Sequence, residues 1–148
     1  RRKNPDEFAT IEQAPDIPAH ELALGKLKNL KEAQKWQRGE IKAYYSDLSE
    51  IIREYIEGRF DFKALESTTD EIMQAFSTVP QQEVPKDLLV QLNQLLSLSD
   101  MVKFAKVIPP LEKNDESFQS ANRFIFDTKP ALNLFEEEEA PTKEQASL

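Results

Sequence analysis

Cysteine is absent from this sequence and histidine occurs once. The first absence excludes disulfides and thiolate metal sites, and it fits a reducing cytosol. The lone His20 has no HExxH or comparable spacing around it, so a metal or catalytic role would need ligands converging from elsewhere in the chain. Glycine is also scarce, with three residues, whereas a β-rich fold consumes glycine at its frequent turns. No apolar run approaches the roughly 20 residues that span a bilayer, and no signal-peptide pattern is visible. The phosphate-cradling patterns GxGxxG and GxxxxGKS are missing, as is the GxSxG nucleophile turn. Positive charge is outnumbered as well: the formal charge of −8 repels a polyphosphate backbone and argues against nucleic acid as a ligand.

What is present is helical patterning. Residues 1–18, with Pro5, Pro15 and Pro18, read as an extended linker. Leu24, Leu27, Leu30 and Trp36 then recur at helical spacing, and Gly39 is placed to end this helix by taking a positive φ. The next helix, 40–58, carries the clearest stripe: Ile41, Tyr44, Tyr45, Leu48, Ile51, Ile52, Tyr55 and Ile56. Burying such side chains is worth about 1.5–3 kcal/mol each, so this helix needs partners. The short break makes the preceding helix the natural one, giving an αα-hairpin over 20–38 and 40–58. Thr68 and Glu71 have the spacing of a capping box ahead of a short helix ending near Thr78. A fourth helix follows Pro85 with Leu88, Leu89, Leu92, Leu95 and Leu96, and Ser97 to Asp100 are expected to break it. Its apolar pattern resumes through Met101, Val102, Phe104, Ala105 and Val107 until Pro109-Pro110. Asn114 and Asp115 are expected to cap a last helix carrying Phe118, Ala121, Phe124 and Ile125. The expected architecture is all-α, a single compact bundle of about five helices over 19–129, followed by an acidic, solvated tail over 130–148.

Candidate functional residues are few. Asp47, Glu50, Glu54 and Glu57 form a row that could meet a cation, but Lys42 and Arg53 interleave with it, which favours a solvated face. Aromatic residues crowd into 36–62, more than one neighbouring helix can cover. An aromatic stripe at helical spacing reads as core first; Tyr44 or Tyr45 is the better surface candidate, since adjacent helix positions point about 100° apart, and both are taken as expected contacts. Lys103 and Lys106, three apart beside an apolar stripe, are the second expected contact, for an acidic partner or lipid headgroups. No catalytic, metal-binding or cofactor-binding set emerges, so a non-enzymatic role is expected. The chain opens Arg1-Arg2-Lys3 rather than with methionine, which suggests a piece of a longer protein. Such a basic triplet is what flanks the cytoplasmic end of a membrane helix.

Four segments taken in order, PAHELAL (18–24), KWQRGEIKAYYSDLSEIIREYIEGRF (35–60), ALESTTDEI (64–72) and DMVKFAK (100–106), carry a family resemblance. Together they resemble the cytoplasmic C-terminal domain of BatD-like, or DUF4381-like, single-pass membrane proteins of Bacteroidetes Bat (aerotolerance) gene clusters. The resemblance covers roughly residues 18–127 and supplies no catalytic residues. It implies a domain on the cytoplasmic side of the inner membrane, held by a transmembrane helix outside this sequence. Its neighbours would be MoxR-type AAA+ ATPases and von Willebrand factor A proteins, which implies an adaptor in a stress-tolerance assembly. Two other readings compete. A TPR-like scaffold would share the Trp36–Tyr45 hairpin but needs about three repeats. A DNA-binding helix-turn-helix using Thr69–Ser77 would need basic residues where Asp70 and Glu71 stand.

Overall fold

The computed structural model describes residues 16–130, and every regular element among them is helical. Five α-helices appear: α1 Ala19–Ala33, α2 Ile41–Phe60, α3 Thr69–Phe76, α4 Lys86–Ala105 and α5 Leu111–Thr128. A single 3-10 turn, Ala64–Glu66, lies between α2 and α3. The expected linker and acidic tail fall mostly outside the described residues.

Helix α2 is the axis of the bundle, touching α1, α4, α5 and the 3-10 turn. Side-chain pairs fix the directions. Lys26 reaches Glu54 at 2.7 Å and Lys35 reaches Asp47 at 2.5 Å, so α1 and α2 are antiparallel. At the start of α1, a Cβ on Gly58 would stand 3.0 Å from the Ala19 Cβ. The helices approach closely there because position 58 has no side chain. Tyr44 bonds to Asn114 and Tyr55 to Thr128, so α5 runs parallel to α2. Arg123 meets Asp87, which sets α4 antiparallel to α5. The four long helices therefore alternate in direction around one core, an up-down-up-down bundle. The α2–α4 connector fills one of its grooves. Phe76 of α3 packs edge-on against Phe60 (5.0 Å), Phe62 (5.2 Å) and Phe124 (6.1 Å between ring centroids).

Local chemistry explains the helix ends, and several differ from expectation. The capping box forms as its spacing predicts: the Glu71 amide donates to Thr68 Oγ1 at 3.1 Å and the Thr68 amide to Glu71 at 2.9 Å. Helix α1 stops at Ala33 instead of reaching 38. Gln34 takes the left-handed conformation (φ 52°) and its amide turns back to the Lys31 carbonyl. The Arg38 guanidinium donates to the freed Ala33 carbonyl, and the Glu40 amide closes the turn on Lys35 at 2.8 Å. Gly39 does adopt a positive φ of 87°, at the end of this turn rather than at the helix end. Helix α4 runs unbroken through Ser97–Asp100, because that stretch finds partners compatible with the helix. Ser99 Oγ donates to the Leu95 carbonyl at 2.9 Å, and Asp100 accepts from Thr69 at 2.6 Å. The helix ends at Ala105, short of Val107, with Lys106 left-handed. Helix α5 begins three residues before the expected cap, with Pro110 preceding its first turn. Asn114 lies inside that turn and is fully buried.

Candidate protein-binding surface

The groove between α2 and α4 is only half filled by the chain itself. One end is occupied by the 3-10 turn and α3. The other end stays open as a cleft of about 600 Å³ whose walls include Ser46, Glu50, Arg53, Leu65, Lys103 and Phe104. Polar chemistry secures the boundary between the two halves. Arg53, whose side chain is 12% exposed, donates from Nε to Ser49 Oγ at 3.1 Å and from Nη1 to the Ser67 carbonyl. Nη2 reaches Thr69 Oγ1 at 3.4 Å and lies 4.0 Å from Asp100. Thr69 in turn donates to Asp100 at 2.6 Å. This network fastens the connector to both walls, so the closed half of the groove is held and the open half has a fixed rim.

Apolar side chains stand exposed at and beyond that rim. Phe104 is 76% exposed, Ile108 80% and Leu111 67%, all within eight residues where α4 gives way to α5. Sequence patterning placed Met101 and Phe104 within a continuing apolar pattern. The buried positions of α4 are Leu88, Leu92, Leu95, Leu96, Ser99 and Val102. Met101 and Phe104 lie off that row, a signal readable from the 100° step per residue. Pro109-Pro110 prevents the chain from continuing as a helix, and Ile108 is left on the surface just before them.

The four expected contact residues separate sharply. Tyr44 and Tyr45 are buried, at 2% and 0% exposure, and are corrected from surface contacts to core. They meet edge-to-face with centroids 5.2 Å apart. Both hydroxyls reach α5: Tyr44 donates to the Asn114 carbonyl at 2.8 Å and Tyr45 to Asn114 Oδ1 at 2.9 Å. The third tyrosine, Tyr55, shares a 2.8 Å hydrogen bond with Thr128. Burial raises the pKa of all three phenols above the ordinary value. For Tyr44 the neighbouring Tyr45 and Asp115 add to the rise, and for Tyr45 and Tyr55 hydrogen bonds from Ser117 and Thr128 oppose it. Lys103 and Lys106 are at the surface: Lys103 lines the cleft with its ammonium 5.2 Å from the Phe104 ring centroid, and Lys106 is exposed at the left-handed cap.

The carboxylate row on α2 is distributed among partners. Asp47 and Glu54 pair with Lys35 and Lys26, Glu57 accepts the Leu65 amide at 3.1 Å, and Glu50 is exposed. Among the described residues, no three His, Cys, Asp or Glu side chains converge as a metal site. His20 is buried at the start of α1, 6% exposed. No helix among the described residues is long and apolar enough to cross a membrane. In comparisons with protein-family models, curated proteins and solved structures, nothing matches the chain.

Proposed function

We propose that this is a non-enzymatic adaptor domain that binds another protein through the open end of the α2–α4 groove and the apolar ridge beside it. The observation that carries the reading is the concentration of Phe104, Ile108 and Leu111 at 76%, 80% and 67% exposure. Large apolar side chains exposed within one short stretch of chain favour a binding partner, whereas scattered ones need no explanation. A concave cleft with an aromatic rim offers the anchor geometry of a protein interface. The partner class and the setting rest on the resemblance in sequence: a MoxR-type AAA+ ATPase or a von Willebrand factor A protein, at the cytoplasmic face of the inner membrane.

The test is retention of the purified ATPase and von Willebrand factor A protein, taken from the source cells, on the immobilised 148-residue chain. A Phe104→Ser/Ile108→Ser variant runs beside it, with circular dichroism confirming its helicity. Retention by the parent chain and loss in the variant is the expected result. Equal retention by both moves the contact away from the ridge, and binding of neither protein removes the partner assignment.

A further inference from the structure

We propose that the chain's own segment Ala131-Leu132-Asn133-Leu134-Phe135 docks into a cleft between the start of α1 and the last turns of α2. The cleft, about 300 Å³, has Ile17, Leu22 and Ala23 on one wall and Glu54, Tyr55 and Gly58 on the other. Gly58 lets the two helices close together there, since a Cβ would stand 3.0 Å from that of Ala19. Ile17 and Leu22 remain 56% and 40% exposed at its edge. Its one charged side chain, Glu54, is paired with Lys26 at 2.7 Å, so the cleft offers apolar surface with no free charge to satisfy. It lies where α2 ends and α1 begins, at the opposite end of the bundle from Phe104, Ile108 and Leu111. The proposal therefore stands apart from the adaptor reading.

The place where α5 ends selects the occupant. The Thr128 hydroxyl shares a 2.8 Å hydrogen bond with Tyr55, a wall of the cleft, and the Thr128 carbonyl accepts from Arg59 at 2.8 Å. Lys129 is extended and Pro130 follows, so the helix stops beside the cleft and the next residues leave from there. Five extended residues reach about 17 Å. That exceeds the roughly 8–10 Å between packed helices, so Leu132, Leu134 and Phe135 can pass Tyr55 to the α1 wall. None of residues 131–135 is charged and only Asn133 is polar, whereas Glu136 to Glu139 follow at once. Burying the apolar group is favourable and burying the acidic run is not, so the docked stretch ends at Phe135. Phe126, the exposed ring nearest in sequence, is already faced by the Lys129 ammonium at 4.1 Å. Ahead of Ile17 the chain carries Phe8 and Ile11, but Asp6, Glu7 and Glu12 stand among them, which makes that segment the weaker apolar occupant.

The chain has no cysteine, so Ala140→Cys places a single nitroxide label in the full 148-residue protein. The amide signals of Leu22, Ala23 and Gly58 should lose intensity through paramagnetic broadening, while those of Lys103 to Leu111 should keep theirs. Leu132→Ser/Leu134→Ser/Phe135→Ser in the same labelled chain gives the undocked baseline and should restore the lost intensity. Leu22→Ser, at an exposed position, should fold normally and restore it too. Labelled chain mixed with unlabelled, isotope-enriched chain should broaden nothing. Equal broadening with and without the triple substitution, or broadening centred on another face, would overturn the proposal. Broadening in the mixed sample makes the occupant a second copy. Cleft broadening by an Asp6→Cys label, with none from the Ala140→Cys label, makes it the N-terminal segment. Either of those results also removes the assignment.

Discussion

The buried tyrosine–asparagine knot between α2 and α5 makes a sharp prediction about which polar atoms matter. Tyr45 donates to Asn114 Oδ1 at 2.9 Å, while Asn114 Nδ2 is buried and has no hydrogen-bond partner among the described residues. Tyr45→Phe therefore leaves both ends of a fully buried amide unpaired, at a cost of about 1–3 kcal/mol. Tyr44→Phe, by contrast, removes a bond to the Asn114 carbonyl, which as an interior α5 position keeps its helical acceptor role. That loss is about 0.5–1.5 kcal/mol, the net worth of an ordinary hydrogen bond. Adding Asn114→Leu to Tyr45→Phe replaces both polar partners by apolar groups and eliminates the unpaired amide. The double variant should recover most of the loss, to within about 1 kcal/mol of the parent, with slight overpacking as the remaining cost.

Urea unfolding of the parent, the two tyrosine variants, Asn114→Leu and the Tyr45→Phe/Asn114→Leu pair reads these differences directly as a cycle. In thermal melts each kcal/mol corresponds to about 4 °C for a domain of this size. The reasoning fails if Tyr45→Phe is no more costly than Tyr44→Phe, or if the double variant is less stable than Tyr45→Phe alone.

Three further outcomes follow from the same packing. All three tyrosines of the chain are buried with raised phenol pKa values, so the absorbance at 295 nm of the folded protein should not rise near pH 10. The folded state then holds more protons than the unfolded one above pH 10. The tyrosine contribution to stability should be constant below about pH 10 and fall above it, with ionisation appearing together with unfolding. A gradual tyrosinate signal with intact helicity would contradict this. Arg53→Met should strip the Ser67 carbonyl and the Thr69 hydroxyl of a donor, costing about 2 kcal/mol, and speed amide exchange over residues 64–69 ahead of the bundle. Gln34→Gly and Lys106→Gly relieve left-handed backbone at φ 52° and 60°. Each should stabilise by about 0.5–1 kcal/mol in urea, whereas Gly39→Ala, at φ 87°, should destabilise by a similar amount.

Much of the fold is written in periodicity and capping. The α1–α2 hairpin, the Thr68–Glu71 capping box and the apolar faces of α4 and α5 follow from residue spacing alone, because each depends on neighbours within one or two turns. Two of the misplaced boundaries have a different origin, since distant partners decide them. Ser97–Asp100 remains helical partly because Thr69, 31 residues away, donates to Asp100. Asn114 does not cap α5 because the hydroxyl of Tyr45, 69 residues away, occupies its side-chain oxygen inside the core. A local preference for caps and turns is worth about 1 kcal/mol, small enough for one tertiary hydrogen bond to reverse.

The misplacement of Tyr44 and Tyr45 comes from the width of the buried face. The 100° argument assumes a helix with one partner, where two adjacent residues cannot both face inward. Helix α2 has α1, α4 and α5 around it, so its inward arc takes in Tyr44, Tyr45, Leu48, Ser49, Ile51, Ile52, Tyr55 and Ile56. In such a central helix adjacent aromatics can both be core, and an adjacent pair is no evidence of a surface. Helix α4, which also has three helical neighbours, buries a narrower arc. Its buried face is the narrower row from Leu88 to Val102, and apolar residues off that row, Met101 at 48% exposure and Phe104 at 76%, emerge into solvent. The same apolar residue type is thus core on α2 and exposed off the buried row of α4, and the width of the buried arc decides between the two.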